Sequence, residues 1–273
     1  MPKIQANNIT INYEQQGSGE PLILIPYLAA DNACYAFQVA EYSKHFTCIS
    51  LDLRGTGLSD KPAGAYSTEL FADDVAAFMQ ALGIPRAHIT GLSLGAAVGM
   101  HLAAKHPDRV KSLSLLSGWI KAEPFLTAVL ECWQAFANGV NSVHETMIRA
   151  MFPWCFAPAT YNSRPDYIAA LCEFVRSRPA MPVESYIQHT KAVLRHNAEA
   201  VLAAITAPTL IAVGSLDQVT PVRVSNDLKH AIRNSELVVF EGASHAFIYE
   251  VTEDFNRRTI EFMQRHRAAA TAA

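Results

Sequence analysis

Positive charge is scarce in this chain. Its 273 residues include 22 Lys and Arg against 25 Asp and Glu, which gives a formal net charge of -3 at neutral pH. A surface that binds nucleic acid needs an excess of cationic side chains to neutralise phosphate groups. The charge balance therefore excludes no fold, but it predicts that nucleic acid is not a partner.

Cysteine and metal-ligand patterns are also sparse. The five cysteines are odd in number and contain no C-x-x-C pair: Cys34, Cys48, Cys132, Cys155 and Cys172. This spacing favours neither a disulfide framework nor a cysteine zinc site, so buried, reduced thiols are expected. The histidines lack a metal-ligand spacing such as H-E-x-x-H. We therefore predict no metal and no cofactor.

Long hydrophobic runs are missing as well. The first ten residues lack the apolar core of a signal peptide, and no apolar run approaches the length that crosses a bilayer. These absences predict a cytoplasmic protein that does not associate with membranes. Residues 267–273 are rich in alanine and have nothing to pack against, so we expect a disordered tail.

Half of the residues are hydrophobic, and their distribution follows an α/β pattern. Buried strands alternate with helices over most of the chain, which predicts a mostly parallel sheet with helices on both faces. The pattern breaks between residues 120 and 196, a stretch rich in helix formers, aromatic residues and prolines. We predict an α/β core of residues 1–119 and 197–266, with residues 120–196 as a helical cap inserted after the sixth strand.

A Gly-x-Ser-x-Gly motif spans Gly91 to Gly95, between a predicted strand and a predicted helix. Glycine and serine also occur in ordinary turns, but this setting favours a serine exposed on a tight, strained turn. A serine nucleophile needs a base, and the base needs an orienting acid. Asp217 and His245 follow two late strands, both predicted to be buried, in the order Ser, Asp, His.

Four segments outside the predicted cap form a recognisable pattern: LDLRGTGLSDKP, ITGLSLGAAVGMHLAAKHPDRVKSLSLLS, APTLIAVGSLDQVTP and FEGASHAF. On these segments the chain resembles the lid-bearing members of the α/β-hydrolase superfamily, which include lactonases, carboxylesterases and C–C bond hydrolases. The resemblance, which is nearest to enol-lactonase-like esterases, implies that Ser93 is the nucleophile, His245 the general base and acid, and Asp217 the orienting carboxylate. A serine at this turn favours acyl chemistry over the epoxide hydrolases and dehalogenases, which carry aspartate there. Some relatives carry the acid after the next strand, but Ser117 stands at that position.

One segment departs from the family pattern. Pro26 and Tyr27 stand where the family often carries His-Gly. The oxyanion hole of this fold uses two backbone N–H groups, one from the residue after the nucleophile and one from the loop after an early strand. These are predicted to be Leu94 and Leu28. We expect the Tyr27 ring to pack beneath the loop, with contact to substrate as the alternative.

These features predict a serine hydrolase that cleaves a carboxylic ester or lactone, as a small-molecule substrate, through an acyl-enzyme. The alternatives on the same fold are a C–C bond hydrolase and a perhydrolase-like enzyme, and the alternative of another class is a ligand-binding receptor on a hydrolase scaffold. The apolar cap suggests an uncharged acyl or aryl group. Tyr27, Trp133, Phe152 and Trp154 are the candidate substrate-binding residues.

Overall fold

A computed structural model describes residues 2–267 of the chain. Its centre is an eight-stranded sheet in the order β1-β2-β4-β3-β5-β6-β7-β8. Strands β3 to β8 pair in parallel, whereas β1 and β2 are antiparallel to their neighbours. The strands are β1 (Lys3–Ala6), β2 (Ile9–Gln16), β3 (Glu20–Ile25), β4 (Phe46–Leu51), β5 (Ala87–Leu92), β6 (Val110–Leu116), β7 (Thr209–Gly214) and β8 (Ser235–Phe240).

Helices cover both faces of this sheet, which confirms the predicted fold class. Helices α2 and α3 pack together, α1 packs with α12, and α10 packs on β7 and β8. The core helices are α1 (Ala36–Tyr42), α2 (Thr68–Ala81), α3 (Leu94–Lys105), α10 (Val222–Ala231), α11 (Phe247–Glu250) and α12 (Thr252–Arg265). The short helices α1 and α11 were not predicted from the sequence.

Burial along the strands follows from their positions in the sheet. Every residue of β5 and β7 is buried, as expected for parallel strands covered on both faces. The prediction of a buried last strand was wrong for β8, in which only Phe240 is buried. This strand lies at the edge of the sheet, so it lacks a neighbour on one side.

The segment between β6 and β7 forms a group of short helices. Its two ends meet, because Lys121 forms an isolated antiparallel bridge with Asn197 and the N–H of Ala198 donates to the carbonyl of Ile120 at 2.8 Å. A π-helical stretch, Met147–Met151, interrupts the helices. The helices are α4 (Pro124–Val140), α5 (Val143–Thr146), α6 (Phe152–Cys155), α7 (Pro158–Ser163), α8 (Pro165–Ser177) and α9 (Val183–Arg195).

The end of the chain is described only in part. Arg267, the first residue of the predicted disordered tail, donates a hydrogen bond to the carbonyl of His45 at 2.8 Å. Residues 268–273 of that tail lie outside the described residues. Within residues 2–267, no helix combines the length and the apolar character that crossing a bilayer requires.

Two buried histidines attach the end of the inserted segment to the core. His189 on α9 donates from Nε2 to the carbonyl of Arg54 at 2.7 Å. His196 contacts the Trp119 carbonyl through Nε2 at 3.2 Å, and its Nδ1 lies 3.1 Å from the hydroxyl of Thr68. Burial lowers the pKa of both imidazoles from 6.5 to about 4, so both rings are neutral at pH 7.

Because burial lowers the pKa of these two histidines, we predict that the protein loses stability in mild acid. Between pH 6.5 and 4 the unfolded chain binds protons that the two buried rings do not bind, so the free energy of unfolding falls as the pH falls. Each ring contributes up to about 2 kcal/mol of this loss between pH 7.5 and 5. Urea denaturation at both pH values measures it, and His189→Gln should show a smaller difference than wild type. Equal pH dependence in the two proteins would contradict the prediction.

Two glycines allow helix α3 to begin directly against the sheet. A Cβ at Gly91 would collide with the backbone carbonyl of Gly95, and a Cβ at Gly95 would collide with the carbonyl oxygen of Ile25 on β3. Backbone atoms cannot move aside as the end of a flexible side chain can. The two glycines therefore set the distance between the start of α3 and the ends of β3 and β5.

Substitution of Gly91 by alanine should destabilise the fold. The expected decrease in the free energy of unfolding is about 1–3 kcal/mol or more, because the new methyl group meets backbone on a packed interface. Gly139 provides the control, since a Cβ there meets no atom within 4 Å and Gly139→Ala removes backbone entropy from the unfolded chain. Thermal unfolding should separate the two variants, with a lower Tm for Gly91→Ala and an unchanged or higher Tm for Gly139→Ala.

Candidate active site

The three predicted catalytic residues lie at the carboxyl ends of strands in one half of the sheet. Ser93 directly follows β5, Asp217 follows β7, and His245 follows β8. Strands β5 to β8 are consecutive neighbours in the sheet, so their carboxyl ends share one edge. This edge is where ligands and catalytic groups of open α/β sheets collect.

Ser93 occupies a strained turn between β5 and α3. Its backbone angles are φ 54° and ψ -115°, a conformation that side chains rarely adopt and that costs about 1–3 kcal/mol. The N–H of Ser93 donates to the carbonyl of Leu116 at 2.8 Å, which fastens the turn to the end of β6. The turn holds the side chain at the start of the helix, half-buried and facing a cavity.

Asp217 and His245 form a hydrogen-bonded pair. Nδ1 of His245 lies 2.8 Å from Oδ2 of Asp217, and both residues are buried. Since the carboxylate only accepts, the imidazole donates from Nδ1, and Nε2 is left as the proton acceptor of a neutral ring. The other carboxylate oxygen of Asp217 accepts from the N–H groups of Val219 at 2.9 Å and Thr220 at 2.8 Å.

Two hydroxyl groups that the sequence analysis did not predict also bind this carboxylate. Ser117 donates to Oδ2 of Asp217 at 2.8 Å, and Thr220 donates to the same oxygen at 3.0 Å. The sequence analysis names Ser117 only as the residue at the position where some relatives carry the catalytic acid. Its position directly after β6, beside the strand that precedes the acid, is the signal that could have identified it.

Ser93 and His245 line one cavity of about 50 Å³. Of the predicted substrate-binding residues, Tyr27, Trp133 and Phe152 also line it. The structure does not support the fourth predicted substrate-binding residue, Trp154, because this residue is not among those that line the cavity. Trp154 is 37 % exposed, and its ring packs edge-on against that of Phe125 at the surface.

The loop after β3 brings Leu28 to the same cavity. The N–H of Ala30 donates to the carbonyl of Tyr27 at 3.1 Å, which closes a four-residue turn, and Ala29 has φ 67°. A positive φ at the third residue is typical of a type II turn. Within residues 2–267, the Leu28 N–H has no hydrogen-bond acceptor. The N–H of Leu94 belongs to the first turn of α3, where backbone donors lack intrahelical partners.

The loop that carries His245 is fastened to the inserted helices. The N–H of Ala246 donates to the carbonyl of Cys155 at 2.7 Å. Glu250 accepts from the N–H of Ser244 at 2.6 Å with one oxygen and from the N–H of Ala157 at 2.8 Å with the other. The residues on both sides of His245 are therefore hydrogen-bonded to the segment that covers the cavity.

Comparison with known proteins assigns the family. Residues 16–251 match the family described as the alpha/beta hydrolase fold. The chain belongs to this family. It is an α/β-fold hydrolase, as the Gly-x-Ser-x-Gly turn and the resemblance predicted.

Individual relatives span nearly the whole chain. "Putative carbamate hydrolase RutD" of Azorhizobium caulinodans is 26% identical over 268 residues, which cover 96% of this chain and 98% of the relative. 3-Oxoadipate enol-lactonase 2 of Acinetobacter baylyi is 28% identical over 266 residues, with 96% of each chain covered. The crystal structure of the enol-lactonase from Burkholderia xenovorans LB400 superposes with a TM-score of 0.86 and 26% identity, and it covers 96% of this chain and 100% of that one.

We predict that the hydrogen bond from Ser117 to Asp217 contributes measurably to activity. Ser117→Ala removes one of several donors to the Asp217 carboxylate, so we expect kcat for hydrolysis to fall by about three- to tenfold, the equivalent of one typical net hydrogen bond. KM should change little, because Ser117 is not among the residues that line the cavity.

Ser114 on β6, three residues before Ser117, provides the matched control. Its hydroxyl is buried and has no hydrogen-bond partner among the residues that the structure describes. Ser114→Ala should therefore retain wild-type kcat and stability. Equal activity of the two variants would show that the Ser117 hydrogen bond does not support the reaction.

Proposed function

We propose that this protein is a serine hydrolase that cleaves a carboxylic ester or lactone through an acyl-enzyme. The observation that carries the proposal is the Asp217–His245 pair, whose imidazole lines the same cavity as Ser93. Nucleophile, base and orienting acid are the three groups that acyl transfer by a serine requires.

Each group has a defined part in the proposed reaction. The Ser93 hydroxyl attacks the carbonyl carbon while Nε2 of His245 takes its proton. Asp217 accepts from Nδ1 and stabilises the imidazolium that forms. The proton then passes to the departing alkoxide, and water releases the acyl group from Ser93 by the same route.

The negative charge on the carbonyl oxygen needs preorganised donors. The N–H groups of Leu28 and Leu94 support this role. Leu28 lines the cavity, and within residues 2–267 its N–H has no acceptor. Leu94 directly follows Ser93, and its N–H lies in the first turn of α3, where backbone donors lack intrahelical partners. One such donor contributes about 3 kcal/mol to transition-state stabilisation in serine enzymes. In the proposal the turn at Ala29 takes the place of the family's His-Gly pair, because a backbone donor needs geometry and not a particular side chain.

The choice of substrate rests on the cavity walls and on the relatives. The residues around Ser93 are mostly apolar, including Trp133, Met151 and Phe152, which favours an uncharged substrate. The relatives include 3-oxoadipate enol-lactonase 2 and a protein named as a putative carbamate hydrolase. Lactones, carbamates and esters all present a carbonyl carbon that bears a leaving group, so one nucleophile could serve all three.

Replacement of Ser93 by alanine tests the nucleophile. We expect kcat for p-nitrophenyl acetate to fall by about 10⁴-fold or more, because no other group can form the acyl-enzyme. A fluorophosphonate probe should add one mass equivalent to the wild-type protein at Ser93 and none to the variant. The control is Ser163→Ala in α7, whose hydroxyl donates only to the carbonyl of Ala159.

Undiminished turnover by Ser93→Ala would overturn the proposal. A panel of an ester, an enol-lactone, a carbamate and a dienone then separates the reactions that this fold supports. Preferred cleavage of the dienone would favour a C–C bond hydrolase. Recovery of every compound uncleaved after long incubation would favour a ligand-binding receptor.

A further inference from the structure

A second and larger cavity lies next to the one that contains Ser93. Its volume is about 360 Å³, more than twice the roughly 150 Å³ that accommodates benzene and within the range of about 300–1,000 Å³ for ligand pockets. Its walls come from the segment after β3, which includes Ala33 and Phe37, and from helix α8, which includes Ala170 and Val175. It therefore lies between the sheet core and the inserted helices.

The cavity at Ser93 is too small for a whole substrate of ordinary size. At about 50 Å³ it has roughly a third of the volume that accommodates benzene. It can hold the reacting carbonyl and a few further atoms. Any longer substituent must extend into adjoining space.

Two hydrogen-bonded tyrosines stand between the cavities. Five side chains line both spaces, namely those of Tyr27, Met147, Phe152, Phe156 and Tyr249. The hydroxyl of Tyr249 donates to the carbonyl of Cys34 at 2.6 Å, so its single proton is engaged. Tyr27 is therefore the donor in the 2.9 Å bond between the two hydroxyls. Burial raises the pKa of both phenols, and both stay protonated.

The chemistry of the larger cavity favours an uncharged occupant. Most of its lining is apolar, and its two charged side chains are paired with each other. Nε of Arg178 lies 2.9 Å from Oδ2 of Asp31, and the other oxygen of Asp31 accepts from the N–H of Ala33. The other ionisable residues that line this cavity are His144, Cys34 and the tyrosines. A substrate carboxylate would have to break the Arg178–Asp31 pair.

We propose that the larger cavity binds an extended alkyl or aryl substituent of the substrate while its carbonyl lies at Ser93. The Tyr27–Tyr249 hydrogen bond forms the partition that this substituent displaces. The inference rests on the proposed function, and it names the substrate class as esters or lactones with a long apolar group. Tyr27 thus acts in substrate selection, through the residue position at which the family often has glycine.

Substrate length tests the inference in the wild-type enzyme. Two series should be compared, p-nitrophenyl esters from acetate to decanoate and acetate esters from ethanol to decanol. The kcat/KM should rise with length in one of the two series, by up to about fourfold for each methylene that enters the cavity. No rise in either series would overturn the inference. Ser93-dependent hydrolysis of p-nitrophenyl acetate would still support the proposed function, so the two failures are distinguishable.

Filling the larger cavity gives the second test. Ala170 is exposed at the mouth and lines only this cavity, so Ala170→Trp narrows the space with little risk to the fold. The ratio of kcat/KM for the longest substrate to that for the shortest should fall about tenfold or more. Val175→Phe, deeper in the wall, should lower the same ratio.

Ala169→Trp is the matched control. Ala169 precedes Ala170 on α8, is also exposed, and is not among the lining residues. For Ala169→Trp, the ratio of kcat/KM for the longest substrate to that for the shortest should equal the wild-type ratio. The inference fails if Ala170→Trp and Val175→Phe, verified as folded by thermal unfolding, keep the wild-type ratio, or if Ala169→Trp lowers it equally.

Loss of one hydroxyl tests the partition. Tyr27→Phe keeps the ring and the Tyr249–Cys34 contact but removes the hydrogen bond that the substituent must break. We expect the ratio of kcat/KM for long over short substrates to rise about two- to tenfold, the range of one net hydrogen bond. An unchanged or lower ratio would refute the role of this bond as a partition.

Discussion

Helix α3 starts in direct contact with β3 and β5, because neither Gly91 nor Gly95 carries a side chain. This approach forces the intervening Ser93 into a backbone conformation that serine rarely adopts. It also brings the first N–H groups of α3 beside the end of β3, from which the loop with Leu28 continues. The strain is balanced by burial on all sides, since the residues of α3 up to Ala103 are buried without exception. Ser93 and the N–H groups that we propose for the oxyanion hole therefore share one packing constraint.

The acid side of the site is organised differently, by polar contacts instead of close packing. Asp217 is buried, and a buried carboxylate is costly unless its oxygens accept hydrogen bonds. Two backbone N–H groups, two hydroxyls and the imidazole of His245 provide them. Because these donors come from the residue after β6, from the loop after β7 and from the loop after β8, the carboxylate also links the ends of three strands.

The inserted segment is coupled to this arrangement at several places. Glu250 and the Cys155 carbonyl hold the loop of His245, and the pair of Arg178 and Asp31 holds the far side of the larger cavity to the core. His189 adds a further attachment through the hydrogen bond from its Nε2 to the carbonyl of Arg54. Movement of the inserted helices would thus change both the space around Ser93 and the position of His245.

The sequence alone determined the fold class and where Ser93, Asp217 and His245 lie relative to the strands, because strand periodicity and turn composition are local properties. It also indicated the departure at Pro26 and Tyr27. Tertiary structure decided the rest. Tyr27 and Tyr249 are 222 residues apart, and Ser117 and Asp217 are 100 apart, so no local pattern could pair them. Trp154 shows the limit of reading pocket residues from the sequence. An aromatic residue in the inserted segment can line a pocket or lie at the surface, and its identity alone does not distinguish the two. Which side chains face a cavity depends on how the inserted helices pack on the sheet, and that packing is a property of the whole chain.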